Sequence, residues 1–410
     1  MFTPDANLVI RAGLLIDGMG SKPISNAIVA IAGDKIIYTG DYDESPSFSN
    51  AQHIDLPQAC LLPGLIDMHV HPTYYWEEQD SAPYTYEPEG ALVYSPVMIG
   101  LLASANLRQA LMSGTTTVRD TGSINDIMFD VRRAIEKCLQ PGPRVYLAGR
   151  LIVPTGGHVH YLPGLANQAD GPFGFRTAVR QELRLGADFI KLANNGNDLT
   201  QEELDAAVDE AHRQGKKVAC HTSKPPSQRM AINAGADTFE HGTPSQEEID
   251  LAVDKGIAWT PTLNMTHAYL KWCESRLKHP DPIQARHARR EYAETMDYIE
   301  RKHASIEYAL NAGMKIVAGT DSFLRNVRFD AMADELCWMV EYGFTPLRAI
   351  QAGTSWAAQS MGWGEIGSLQ AGKLADIIAV QGNPLSDIRL LDEVKLVIKA
   401  GVVIKMDFPS

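Results

Sequence analysis

The stretch Asp67-Met68-His69-Val70-His71 places two histidines one residue apart. Alternate residues of a β-strand point the same way, so His69 and His71 project together. Two neutral imidazoles converging at a strand end make half of a metal site. Taken alone, the pair could equally be two ordinary polar residues. Three further positions extend the pattern. Cys220-His221 closes the run Lys217-Val218-Ala219, and Glu240-His241-Gly242 closes Ala236-Asp237-Thr238-Phe239. Thr320-Asp321-Ser322 closes Lys315-Ile316-Val317-Ala318-Gly319. Each follows a short apolar run and precedes a turn or a helix start. One such residue is usually structural. Chance rarely puts four sites on four strand ends.

Lys191, in Phe189-Ile190-Lys191-Leu192-Ala193, also falls at an expected strand end. Beside cations an ammonium is repelled. The bland reading makes Lys191 a solvated charge or a partner of Asp188. The functional reading makes it a buried, deprotonated amine that has reacted with carbon dioxide. Its carbamate would be anionic and would carry two oxygens, enough to bridge two metals.

Positioning these residues requires a regular frame. Both ends of the chain are rich in β signals. Leu8–Gly13, Ala27–Ile31 and Lys35–Gly40 are separated by Gly, Asp and Pro turns, and Asp376–Val380, Val394–Ile398 and Gly401–Ile404 repeat the pattern. Between them strand and helix signals alternate, as a parallel sheet requires. Eight candidate strands end near His69, Asp120, Arg150, Lys191, His221, His241, Thr262 and Asp321. A helix from Thr200 to His212 would start with Thr200 as its cap and Glu203 as the capping-box partner. The expected fold is α/β: a (β/α)8 TIM barrel over residues 59–364, with a small β-sandwich domain from residues 1–58 and 365–410. In a barrel all these strand ends share one face, where active sites form.

Of the 410 residues, 45% are hydrophobic and 21% are charged, an ordinary globular balance. The formal charge of −13 disfavours a phosphate backbone as partner. No apolar run approaches the ~20 residues that span a bilayer, and the N-terminal residues lack the basic and apolar regions of a signal peptide. Five scattered cysteines form no CxxC pair and read as free thiols of a reducing compartment. The expectation is a cytoplasmic enzyme with a small-molecule substrate, without nucleic-acid or membrane partners, assembled as a homo-oligomer.

The order HxH, Lys, His, His, Asp resembles the amidohydrolase superfamily, in the branch whose binuclear site is bridged by a carboxylated lysine. Leu62-Pro63-Gly64-Leu65-Ile66-Asp67-Met68-His69-Val70-His71, Glu240-His241-Gly242, Gly319-Thr320-Asp321-Ser322 and the tail Gly367–Asp376 carry the resemblance. It runs from residue 8 to about residue 404. Within the superfamily the chain looks like the metal-dependent carboxypeptidase, prolidase-like and ochratoxin amidase-like hydrolases. The resemblance implies two divalent metal ions, expected to be zinc. His69, His71 and Asp321 would hold the more buried one, His221 and His241 the other, and Lys191 as its carbamate would bridge them. His158, in Gly156-Gly157-His158, matches a histidine that helps bind substrate in that group. Dipeptidase-like members usually carry Tyr or His two residues after the first of the paired metal histidines. Here Ser223 stands there, followed by Lys224. Lys224 either replaces that group as a point charge on a substrate carboxylate or faces solvent.

The implied reaction is hydrolysis of a C–N bond in an amide, peptide, carbamate or urea. A hydroxide shared by two cations attacks the carbonyl, and Asp321 moves its proton to the leaving nitrogen. The loop after the first barrel strand is aromatic, with Tyr74, Tyr75, Trp76, Tyr84, Tyr86 and Tyr94. It would wall a pocket for an apolar or aromatic substrate, pack between subunits, or cover the barrel rim. Asn264, Met265, His267 and Tyr269 follow the seventh strand and are expected on the same face. Neither region offers an arginine clamp for a carboxylate. One alternative is a mononuclear cyclic-amide hydrolase or deaminase like imidazolonepropionase, whose relatives generally lack the bridging lysine. A non-catalytic scaffold of the same fold is disfavoured, because all six ligand positions are filled.

Overall fold

The computed structural model describes residues 5–74, 94–162, 164–322 and 327–408. Four strands open the chain: β1 (Leu8–Leu15), β2 (Ile24–Ala32), β3 (Lys35–Asp41) and β4 (Gln52–Pro63). The middle carries β5 (Leu65–Val70), β6 (Thr115–Asp120), β7 (Arg144–Leu147), β8 (Leu151–Val153), β9 (Ala166–Gln168), β10 (Ile190–Asn194), β11 (Val218–Thr222), β12 (Thr238–Glu240) and β13 (Ala258–Thr260). The far end adds β14 (Ile377–Gln381), β15 (Leu396–Lys399) and β16 (Val402–Met406).

Both ends meet in one mixed sheet of order β16-β15-β14-β4-β1-β2-β3. They join where β14 runs antiparallel to β4, with Cys60 opposite Val380. Side-chain alternation then serves two cores at once. Ala59 and Leu61 with Ile377 and Ala379 enter the sheet's own core beside Ile10, Val29 and Ile398. Cys60 and Leu62 with Ile378 and Val380 turn the other way, onto Trp259, Ile316 and Leu336. The paired residues 59–62 and 377–380 therefore read as continuous apolar runs, as strands buried on both faces do.

The middle strands pair in parallel, as β5-β6-β7 and as β13-β12-β11-β10-β8-β9. The third expected strand is broken: β7 ends at Leu147, Gly149 takes φ +77°, and β8 resumes at Leu151. β10 runs on past Lys191 to Asn194, so Lys191 lies within a strand rather than at its end. Around Asp321 the described residues form no full strand, only parallel bridges Trp259–Ile316 and Val70–Ser322. Ile66, Met68, Ala148, Phe189, Ala219, Ala258 and Val317 pack into one apolar cluster, which ties all these segments together.

Helices separate the strands. Gln201–Arg213 has the expected start: the Thr200 hydroxyl accepts from Glu203 N, and the Glu203 carboxylate accepts from Thr200 N. Two helices, Leu263–Ser275 and the 30-residue Pro282–Asn311, stand between β13 and the Ile316 segment. No helix among the described residues is long and apolar enough to cross a membrane.

Gly319 is where the chain passes tightest behind β5. A Cβ there would lie 2.6 Å from Thr260 Cγ2 and 3.0 Å from both His69 Cβ and His69 N. Such overpacking costs about 1–3 kcal/mol. Gly319→Ala is expected to lower the unfolding free energy read from a urea titration by that much; an unchanged value would mean that the segment yields freely.

Candidate metal centre

His69 and His71 occupy alternate positions at the end of β5, so they share a side opposite Met68. Lys191 arrives on β10, His221 on β11, and His241 directly after β12. At three of the strand ends facing the site the backbone is left-handed: His241 at φ +62°, Thr262 at +52° and Asp321 at +55°. Such angles are uncommon outside glycine and cluster at functional sites. Each lies just past the end of its strand segment, where the chain turns.

His69, His71, Lys191, His221, His241 and Asp321 all line one cavity of about 530 Å³. The ring centroids of His69 and His71 are 5.2 Å apart, those of His69 and His241 4.8 Å, and those of His221 and His241 4.7 Å. Ligand-capable atoms of His69, His241 and Asp321 lie within 4.8 Å of one another. Asp321 Oδ1 is 3.4 Å from Nε2 of both His69 and His71.

The hydrogen bonds behind the histidines decide which nitrogens face the cavity. His69 Nδ1 donates to Glu240 Oε2 at 3.0 Å, and His71 Nδ1 donates to the Gly122 carbonyl at 2.7 Å. In the neutral rings, each Nε2 keeps its lone pair. Asp321 Oδ1 therefore faces two lone pairs and, among the described residues, has no hydrogen-bond donor of its own. Lys191 Nζ and His221 Nε2 are likewise buried without partners among the described residues. Buried polar atoms are rarely left so. Carboxylate oxygen and imidazole nitrogen are the donor set of a divalent cation of the zinc type, and they fit one here.

Burial sets the charge states. It pushes the Lys191 amine down to about 8. Burial, with Lys191 next to it, holds His69 down to about 4. Burial, then the neighbouring histidines, keeps His221 well below its usual value. Burial alone would raise the Asp321 carboxyl; only positive charge on the surrounding histidines, His69 first, would draw it below the carboxylate range. Burial would raise Glu240 too, but Arg119, Lys191 and His69 keep it ionised.

Glu240 shows what the spacing of ligands does not reveal. It is fully buried. Arg119, also fully buried on β6, donates to Glu240 Oε1 at 2.7 Å and to Thr238 Oγ1 at 3.0 Å. The same guanidinium donates to the Met68 carbonyl at 2.6 Å. One side chain thus joins β5, β6 and β12 behind His69. Asp67 does the same for the last segment, accepting from Thr320 N at 3.0 Å, Thr320 Oγ1 at 2.6 Å and His69 N at 3.1 Å. Both acids stand in the quoted motifs, but only the fold reveals that they brace His69 and the turn at Thr320.

The remaining expected residues divide. His158 lines the cavity, and its ring stacks on His221 with centroids 4.0 Å apart. Lys224 lines the cavity too and is exposed. Tyr75 lies outside the described residues, as do Trp76, Tyr84 and Tyr86. His267 is turned away. Helical periodicity puts Met265, Thr266 and Tyr269 toward the cavity, while His267 stacks on Trp338 at 3.5 Å and meets the Tyr342 hydroxyl at 3.1 Å. Asp188 is taken by Arg132 at 2.6 Å, so it is not the partner of Lys191. Helix Pro282–Asn311 supplies a wall absent from the expectations, with Glu291, Glu294, Thr295, Tyr298 and Arg301.

Comparisons with known proteins give the family of the chain. Residues 60–404 match the amidohydrolase family. The chain is similar to the ochratoxinase of Aspergillus niger, 29% identical over 95% of this chain and 84% of the relative. The crystal structure of that enzyme superposes with a TM-score of 0.83, over 98% of this chain and 96% of the other. A crystal structure of a Xaa-Pro dipeptidase with bound methionine in the active site is 31% identical, with a TM-score of 0.82, covering 97% of this chain and 99% of that one. Imidazolonepropionase of Cutibacterium acnes is 24% identical over 94% of this chain and 92% of its own. A match over so much of the chain, on top of a buried cluster with a metal's donor set, leaves one assignment: the chain belongs to the amidohydrolase family, as a hydrolase acting on carbon–nitrogen bonds.

Proposed function

We propose that this chain hydrolyses an amide-type C–N bond in a small substrate with an apolar or aromatic part, using two divalent metal ions, zinc in the first instance. The observation that carries the reading is the convergence of His69 Nε2, His71 Nε2 and Asp321 Oδ1, an acceptor-only cluster that calls for a cation. His69, His71 and Asp321 hold one ion, and His221 and His241 hold the other. When bound, the ions lower the pKa of water and polarise a carbonyl. Asp321 takes the proton released as water attacks and delivers it to the leaving nitrogen, without which an amine departs poorly.

Lys191 joins the two halves of the site. Its buried amine, held down to about 8, adds to carbon dioxide, losing one proton and forming a carbamate. The product is anionic and offers two oxygens. It removes the orphaned donor and supplies a bridge.

The same frame supports a closed (β/α)8 barrel over residues 59–364, with a β domain from residues 1–58 and 365–410. The bridges Trp259–Ile316 and Val70–Ser322 support closure on one side, and Asp188 N bonding to Leu147 O at 2.7 Å supports it on the other.

Tyr74, Leu151, Val159, Leu165, Met265 and Tyr269 make an apolar lining suited to a hydrocarbon or aromatic group. His158 meets the substrate carbonyl beside His221. Lys224 faces a substrate anion at the mouth, and Arg301 adds a second cation there. Zinc-loaded enzyme offered N-acyl amino acids, dipeptides, anilides, carbamates and ureas is expected to turn over members with an aromatic or branched apolar group. Turnover confined to a cyclic amide or to deamination, with one metal per chain, would favour the mononuclear reading that imidazolonepropionase suggests.

Two variants test the centre. His69→Ala is expected to bring the metal content below that of the wild type and to abolish turnover; full turnover removes the core of the reading. Lys191→Ala is expected to lose most activity and at least one metal, with partial rescue by short carboxylic acids. Carbon-13 NMR of enzyme under labelled carbon dioxide is expected to show a carbamate resonance that Lys191→Ala lacks. Two bound metals beside an unmodified lysine would sink the bridge.

A further inference from the structure

Helix Pro282–Asn311 buries Ala285, Ala288, Thr295, Lys302, Ile306 and Ala309. Five of these are small or apolar. The sixth is a lysine with no exposed surface. Burying an amine is costly unless it is well bonded. Lys302 makes no ion pair among the described residues. The nearby carboxylate of Glu335 is bonded to Leu263 N at 3.0 Å and Asn264 N at 2.6 Å. The hydrogen bond of Lys302 runs from Nζ to the Pro261 carbonyl, at 2.6 Å. Its other neighbour is the Tyr298 ring, 4.7 Å from Nζ.

The Pro261 carbonyl also accepts from Thr262 Oγ1, at 2.8 Å. That bond uses the only proton of the hydroxyl. The 2.7 Å contact between Thr262 Oγ1 and His241 Nδ1 must then run from nitrogen to oxygen. Asp321 Oδ2 stands 3.9 Å from the same nitrogen, beyond hydrogen-bonding reach. Thr262 is therefore the group that fixes the proton on Nδ1 and leaves Nε2 of His241 as a ligand. It does so from a left-handed turn, φ +52°, that a β-branched residue seldom adopts. Something must hold that turn.

We propose that Lys302 is a positioning residue for the metal centre: by anchoring the Pro261 carbonyl it fixes the Thr262 hydroxyl, and through it the tautomer and aim of His241. The inference rests on the reading of His241 as a metal ligand. Groups that orient a metal histidine from behind are worth about 10–100-fold in metal affinity. The effect of Lys302 passes through Thr262, so it should vanish when the hydroxyl is gone.

The test measures metal content and metal release to a chelator for full-length His241→Asn, Thr262→Val, Thr262→Ser, Lys302→Met and the Thr262→Val, Lys302→Met double variant. Thr262→Val keeps the branched shape and is expected to speed release of one metal by about 10–100-fold. Thr262→Ser, which keeps the hydroxyl, is expected to retain most of the affinity. Lys302→Met is expected to act in the same direction alone and to add nothing in the Thr262→Val background. Equal, additive losses would overturn the relay, as would Thr262→Val holding metal like the wild type. Should Lys302→Met fail to fold, Lys302→Gln, alone and in the Thr262→Val background, is judged by the same criterion. Wild-type metal content in His241→Asn would instead defeat the ligand reading beneath the inference.

Discussion

The centre of this molecule concentrates acceptors in a largely buried cluster. Asp321 Oδ1 sits 3.4 Å from two imidazole nitrogens whose protons are engaged elsewhere. Lone pairs at that spacing repel, and a buried carboxylate without a donor is expensive. Nothing local relieves the arrangement, so rigid surroundings must hold it. Arg119 pins Glu240 and the Met68 carbonyl, while Asp67 pins Thr320. His69 and the turn at Thr320 are thus held by groups that do not line the cavity. The pairing of Arg119 with Glu240 adds little net stability, since burying both charges offsets their attraction. Its return is orientation.

Much of this could be read from the chain in advance. His69 and His71 share a face because strand periodicity is two, and that needs no tertiary information. The Thr200–Glu203 capping box is local in the same way. The union of the two ends in one sheet followed from apolar runs at both. The candidate positions His69, His71, His221, His241 and Asp321 stand out because each comes where an apolar run stops, whereas Lys191 lies inside β10.

What stayed hidden depends on distance or on period. Arg119 reads as one charge in Thr117-Val118-Arg119-Asp120; only the fold brings Thr238 and Glu240 to it. Lys302 and Arg301 lie mid-helix, 61 and 60 residues after His241, with no local signal that one is buried behind the site and the other faces the cavity. His267 was placed with Met265 and Tyr269 as though the segment were extended. A helix turns about 100° per residue, which sends 265, 266 and 269 inward and 267 onto Trp338. The break of the third strand at Gly149 is invisible to a pattern that counts apolar residues.

The cavity's walls also bear on substrate choice. One side is hydrocarbon and aromatic, from Leu151, Val159, Leu165, Met265 and Tyr269. The rim is charged in both senses, with Lys224 and Arg301 near Glu291 and Glu294. Arg301 is already bonded to Asp297 at 3.0 Å, and its other hand reaches Thr243 at 3.4 Å. A substrate anion must compete with Asp297 for that guanidinium, whereas Lys224 forms no ion pair among the described residues. An anionic end would therefore meet Lys224 first. An apolar body gains from the lining wherever it sits, about 25 cal/mol for each Å² withdrawn from water. Affinity then comes from the wall and orientation from the rim. A uniformly apolar substrate would bind without a preferred end, and a substrate with one charge would present its carbonyl to the histidines in one direction only.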